Sequence, residues 1–156
     1  MFDVITVGSA VIDVFLKTSN KSSKEICFPI GQKVVIEDLQ FAVGGGGLNV
    51  ATGLSKMGMR TAYIGKLADD LNGKTILSEM KKNNIAFLGK VSKEGKTGYS
   101  VILDAKEDRT ILLYRGVLSS LKLNEIPLKK LNTSWMYFSS ATEETFHTQE
   151  KLIDLV

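Results

Sequence analysis

Gly44-Gly45-Gly46-Gly47-Leu48-Asn49-Val50-Ala51 joins four residues without side chains to what reads as the first turn of an apolar helix. Each glycine costs about 0.5–1 kcal/mol more than alanine in lost backbone freedom, so a run of them at the edge of a packed element implies a need for bare backbone. Helix starts carry N–H groups without an intrahelical partner, and with no Cβ in the way a polar ligand can approach them closely. A flexible linker is the plain alternative. Linkers mix in serine and run longer, however, and here apolar residues stand on both sides.

Working outward, Val50, Ala51, Leu54 and Met57 keep helical spacing, and Gly58 stands where a left-handed C-terminal cap is expected. Before the glycines, Val4-Ile5-Thr6-Val7 ending at Gly8 reads as a buried parallel strand. After them, Thr61 to Gly65 reads as a strand, and Asp69 or Asp70 caps a helix carrying Ile76, Leu77 and Met80 and closing at Lys81-Lys82. Ile85 to Val91 gives a further strand. Strands alternating with helices indicate βαβ units around a parallel sheet.

Other segments break that rhythm. Val11 to Leu16, and the stretch from Cys27 through Val34-Val35-Ile36 to Phe41, read as short strands. Gly98 to Asp104 and Arg109 to Arg115 alternate as a hairpin joined by Ala105-Lys106-Glu107-Asp108. Together they are expected to form a small antiparallel sheet over the glycine-rich helix start, although an extension of the main sheet at its edge fits the same periodicity. Trp135 to Ser139 reads as a strand, and Phe146, Ile153, Leu155 and Val156 as one face of a last helix. That helix has no capping glycine and ends on an apolar tip, so the chain is expected to be part of something longer.

With 156 residues, of which 44% are hydrophobic, the sequence suits one ordinary domain with a single core. A net charge of +3, scattered along the chain, argues against nucleic acid as a partner. One cysteine, Cys27, excludes an intrachain disulfide and any multi-cysteine zinc site. No signal-like start or membrane-length apolar run occurs, and a cytoplasmic, soluble protein without membrane contact is expected.

Several motifs fail. Counting Gly-x-Gly-x-x-Gly from Gly44 lands on Asn49, and from Gly45 on Val50, so there is no dinucleotide fingerprint. Gly73-Lys74-Thr75 and Gly95-Lys96-Thr97 imitate the end of a phosphate loop, but Ala68 and Lys90 stand where its first glycine belongs. His147 is the sole histidine, which excludes a His-His metal pair and a Ser-His-Asp triad and suits a surface residue.

What survives is Gly8-Ser9 with Asp13, the glycine run with Asn49, and the hairpin beginning Thr97-Gly98. An ionised Asp13 accepts hydroxyl hydrogen bonds, Asn49 both donates and accepts, and bare glycine lets a polyol lie flush. This chemistry suits a neutral, hydroxyl-rich ligand. The plainer readings are a turn residue for Asp13 and a helix-end residue for Asn49.

The order of these motifs resembles the ribokinase/PfkB-like family of carbohydrate and nucleoside kinases over nearly the whole chain. Gly44 to Ala51 followed by Leu54-Ser55-Lys56-Met57-Gly58 is similar to the family's first signature, and Gly65 to Gly73 to its Gly-x-Val-Gly-x-Asp-x-x-Gly stretch. Thr97-Gly98-Tyr99-Ser100, Arg109-Thr110-Ile111-Leu112 and Arg115-Gly116 are similar to its lid hairpin and the return to the core. The resemblance implies a ribokinase-like three-layer α/β/α fold with a parallel central sheet and a small β-sheet lid. Residues 1–156 would be the N-terminal half of one kinase domain, with lid segments at about 11–41 and 97–115.

The resemblance further implies that Asp13, Gly45, Gly46 and Asn49 hold the acceptor's hydroxyls, with Ser100 and Ile102 facing it from the lid. Many sugar kinases have lysine where this chain has Gly46 and asparagine where it has Val11, so ribose is not required as the acceptor. Ala68 stands where glycine is usual. The family's Gly-Ala-Gly-Asp motif, source of the general base and anion hole, occurs nowhere in 1–156. The expectation is therefore the acceptor-binding half of an ATP-dependent sugar kinase, inactive alone. ATP and Mg²⁺ belong to the full-length parent, and no catalytic, cofactor or metal residue is expected in this chain.

Two other functions stay open: a nucleoside kinase, and a non-catalytic binding or dimerisation module. An exposed lid sheet invites pairing with a second copy.

Overall fold

The computed structural model describes residues 1–18, 25–105 and 108–155. In chain order its first elements are β1 (Phe2–Val7), β2 (Val11–Lys17), β3 (Asp38–Gly44), α1 (Gly46–Lys56), β4 (Thr61–Ile64), β5 (Lys66–Ala68) and α2 (Leu71–Lys82). They are followed by β6 (Ala86–Phe87), β7 (Lys90–Ser92), β8 (Tyr99–Asp104), β9 (Arg109–Tyr114), β10 (Thr133–Phe138) and α3 (Glu143–Ile153), with short 3-10 turns between Gly116 and Lys130.

The central sheet runs β10-β1-β4-β6, all parallel, with Val4 beside both Trp135 and Thr61. Side chains alternate across it, as strand geometry requires. Ile5, Val7, Ala62 and Ile64 pack with Leu121, Ile126 and Leu152 of α3. Tyr63 belongs to the other cluster, with Leu48 and Ala51 of α1 and Ile76 and Met80 of α2. The result is three layers, α/β/α. β5 and β7 form a separate parallel pair. The expected strand from Ile85 to Val91 is thus split at Leu88-Gly89.

Helix ends follow the local chemistry. Asp70 is the N-cap of α2, its side chain accepting the Gly73 N–H at 2.7 Å. α1 ends at Met57, and Gly58 takes the left-handed conformation with φ 89°. Among the described residues no helix is long and apolar enough to cross a membrane.

A second sheet runs β3-β2-β8-β9. Its outer pairs are antiparallel, but the central pair is parallel, with Asp13 beside Ser100. This corrects the all-antiparallel expectation. β2 and β8 leave the core in the same direction, so they can meet only in parallel. One face of this sheet, through Ile12, Val14 and Leu16, packs onto the α1/α2 cluster. Lys106 and Glu107 of the hairpin turn lie outside the described residues, whereas the Ala105 N–H reaches Asp108 O at 2.8 Å.

Two further expectations are corrected. Residues 25–37 form no strand: Val34, Val35 and Ile36 are exposed and β3 begins at Asp38, because β-branched propensity alone cannot make a strand without a partner. On α3 the buried face is Thr145, Thr148, Gln149 and Leu152, while Phe146, Ile153 and Leu155 are exposed; Val156 lies outside the described residues. The polar face is buried because it satisfies backbone. Thr148 donates to Leu121 O at 2.7 Å, Gln149 to Ser139 O at 3.0 Å, and Thr145 accepts the Leu121 N–H at 3.0 Å.

Candidate functional site

The glycine bend wraps the end of β1. Gly45 has φ 98°, and a Cβ there would stand 2.6 Å from Ser9 O; one on Gly47 would stand 2.9 Å from Gly8 Cα. Much of the bare backbone is therefore met by the chain itself. The first-turn N–H groups of α1 are partly used as well. Ser9 Oγ accepts the Gly46 N–H at 3.0 Å, and Ser9 O accepts the Leu48 N–H at 3.2 Å. Ser9, in the turn between β1 and β2, thus caps the helix start, which corrects the expectation of a vacant one. Behind it, the buried Tyr63 hydroxyl donates to Gly8 O at 2.8 Å, and burial pushes its phenol well above the usual range.

A cavity of about 390 Å³ opens between this bend and the outward face of the second sheet. Its wall includes Ser9, Asp13, Gly45 and Ser100, with Ile111 and Leu113 as apolar backing. Strand register explains the grouping. Asp13 lies beside Ser100, and Ser100 opposite Leu113 on β9. The Asp13 carboxylate rests over Gly44, where a Cβ would collide with Oδ2. A small cavity with a few converging polar groups on an apolar wall is the ordinary form of a small-molecule site.

The structure therefore brings Asp13, Gly45 and Ser100 together on one wall. Gly46 is exposed next to the Ser139 side chain, and Asn49 is exposed in the first turn of α1; neither lines the cavity. Ile102, 4% exposed, lies between Phe15 and Ile111 in the sheet and is absent from the wall. Sequence reading missed Thr142 and Thr145 on the far wall, and it treated Arg115 only as the return from the hairpin. Nothing in their spacing marks them, because they reach the cavity from 3-10 and helix-start segments.

Among the described residues no three His, Cys, Asp or Glu side chains gather as a metal site needs. His147 sits on the surface with Nδ1 3.0 Å from Glu150 Oε2.

Helices on both faces of a parallel sheet, with a second sheet beside a hydroxyl-lined cavity, define an α/β protein. Residues 1–147 match the model of the pfkB family carbohydrate kinases, and the chain belongs to that family. It is 32% identical over 124 residues to 5-dehydro-2-deoxygluconokinase from Geobacillus thermodenitrificans, covering 78% of this chain and 34% of the relative. Ribokinase from Giardia lamblia superposes with a TM-score of 0.84 at 19% identity, covering 99% of this chain and 50% of that one. Adenosine kinase from Sinorhizobium meliloti superposes with a TM-score of 0.69 at 21% identity, covering 88% and 46%. The fold is ribokinase-like. The chain spans about a third of the curated relative's length and about half of each solved structure's.

Proposed function

We propose that residues 1–156 are the acceptor-holding half of one ATP-dependent carbohydrate kinase domain, with 11–41 and 97–115 as its lid segments. The observation that carries this reading is the meeting of Asp13, Ser100 and Gly45 on one cavity wall in a chain of the pfkB family. In this reading the Asp13 carboxylate accepts two acceptor hydroxyls, Ser100 exchanges a hydrogen bond from the lid, and Gly45 lets the sugar lie against backbone. Gly46 and Asn49 extend the contact from the exposed first turn, and Ile102 stiffens the lid behind Ser100. The second sheet excludes water from the hydroxyl to be phosphorylated.

The described carboxylates nearby already have other work. Asp69 pairs with Lys74 at 3.1 Å, and Asp70 is spent in the cap of α2. With no Gly-Ala-Gly-Asp in the sequence, the proton acceptor is assigned to a segment other than 1–156, and so are ATP and Mg²⁺. Mg²⁺ has no ligand set among the described residues. ATP as donor sets the parent protein in the cytoplasm.

A nucleoside as acceptor is the second reading, supported by the likeness to an adenosine kinase. The exposed Leu112 and Tyr114 on the edge strand β9 support pairing of two copies through the lid. The test is the full-length protein with ATP, Mg²⁺ and a panel of pentoses, hexoses, sugar acids and nucleosides. A phosphorylated carbohydrate is expected from it and none from 1–156 alone. No product from the full-length protein, or turnover by 1–156, overturns the reading.

A further inference from the structure

Lys66, on β5, is the only charged residue buried outright among those described. All three of its ammonium donors are used: Nζ reaches the two Glu125 carboxylate oxygens at 2.9 and 3.0 Å and Ser120 O at 3.0 Å. Glu125 also accepts the Lys122 N–H at 2.9 Å. The same turn is held from α3: Thr145 donates to Leu118 O at 2.5 Å and accepts the Leu121 N–H at 3.0 Å, and Thr148 donates to Leu121 O. The stretch 118–122 belongs to no sheet and to no α-helix, so these side chains hold its backbone in place of a ladder. Leu118 and Ser119 of that stretch line the cavity that Asp13 and Ser100 also line.

An ion pair buried under a turn gains little stability, because desolvating two charges offsets their attraction and an apolar pair of like volume serves as well. An apolar pair has no direction, however, and fixes no carbonyl or N–H. We infer that Lys66 and Glu125 are positioning residues for the cavity: the pair sets the backbone of 118–122 so that Leu118 and Ser119 stand against the acceptor. Neither side chain lines the cavity, so the pair acts through the turn without touching substrate. The acceptor in this statement rests on the carbohydrate-kinase reading, whereas the placing of the turn does not.

The double variant Lys66→Met/Glu125→Leu removes both charges and keeps apolar volume, and in the full-length protein it should melt close to the wild-type temperature. Two other readouts should nevertheless move. Amide hydrogen exchange at Leu118 and Leu121, whose N–H groups bond to Arg115 O and Thr145 and not to the pair, should quicken by at least about tenfold. The acceptor KM should rise by roughly tenfold while kcat falls by less than about threefold, a split that loss of stability alone does not produce. Wild-type exchange at both amides, or an unchanged acceptor KM beside an active wild type, overturns the inference. Should the double variant fail to fold, Glu125→Gln decides, since it keeps the shape but lacks the charge: faster exchange at Leu121 with a higher KM supports the inference, and no change in either overturns it. A wild type that phosphorylates no carbohydrate overturns the kinase reading and the link to an acceptor, while exchange at Leu118 and Leu121 still tells whether the pair places the turn.

Discussion

Asp70 and Thr97 tie the start of α2 to the root of β8: Asp70 Oδ2 accepts the Thr97 N–H at 2.9 Å, and Oδ1 accepts the Thr97 hydroxyl at 2.7 Å. The same carboxylate caps Gly73, while the Thr97 hydroxyl accepts the Ala68 N–H at 2.9 Å. The two side chains together thus join a core helix, a core strand and the second sheet. Burial pushes the Asp70 carboxyl upward, but the hydrogen bonds from Thr97 and Gly73 outweigh it and hold the group below the usual range.

Replacing that carboxylate should therefore have a pH-dependent cost. Asp70→Ala should destabilise by about 1–2 kcal/mol at neutral pH, the scale of a lost cap. A group with a lowered folded pKa contributes fully above its unfolded value, about 3.9, and loses that contribution as pH falls through the folded value. Melting curves of wild type and Asp70→Ala should accordingly converge below about pH 4. A gap of constant size from pH 7 to pH 3 contradicts the assignment.

Two glycines of α1 should respond in opposite directions. A Cβ on Gly47 meets Gly8 backbone at 2.9–3.0 Å, which cannot swing aside, whereas one on Gly53 meets nothing within 4 Å. Gly47→Ala should cost about 1–3 kcal/mol, as overpacking does. Gly53→Ala should add about 0.5–1 kcal/mol by helix propensity. Chemical denaturation of both variants gives the comparison, and equal effects would show that the bend is not packed as described.

Lys66 and Glu125 form a largely buried pair, with Nζ 2.9 and 3.0 Å from the two carboxylate oxygens and 3.0 Å from Ser120 O. Breaking it with Lys66→Met alone strands a carboxylate and should cost about 3 kcal/mol. Lys66→Met with Glu125→Leu should cost less than the sum of the singles. Additive losses in a double-mutant cycle would deny the coupling.

Tyr63→Phe removes the hydroxyl that holds Gly8 O at the cavity wall. About 1–2 kcal/mol of stability should go with it. If the proposed function holds, the full-length protein's KM for the acceptor should rise more than kcat falls, because the Tyr63 hydroxyl bonds Gly8 O from the buried side. A change in kcat alone would speak against this role.

The backbone of the fold could be read from local signals wherever those signals also decide packing. Gly58 ends α1 and Asp70 starts α2 because left-handed backbone and orphan N–H groups admit few residue types. Asp13 could be singled out by its chemistry, and Ser100 only through the family resemblance. Their adjacency could not be read, since it depends on the parallel β2–β8 pairing, which joins residues far apart in sequence. The buried face of α3 misled for a physical reason: Thr145, Thr148 and Gln149 go inward to satisfy carbonyls and N–H groups of turns, a demand invisible to apolar periodicity. Arg115 was legible only as the return from the hairpin, because its place on the cavity wall comes from the fold and not from its spacing.

The most direct measurement is acceptor-dependent phosphate transfer from ATP by the full-length protein, wild type against Asp13→Ala. The account predicts a phosphorylated carbohydrate from the wild type and an acceptor kcat/KM lower by roughly 10- to 100-fold in Asp13→Ala, the loss expected for hydrogen bonds to a charged group. An unchanged kcat/KM in that variant, or no carbohydrate phosphorylated by the wild type, would contradict it.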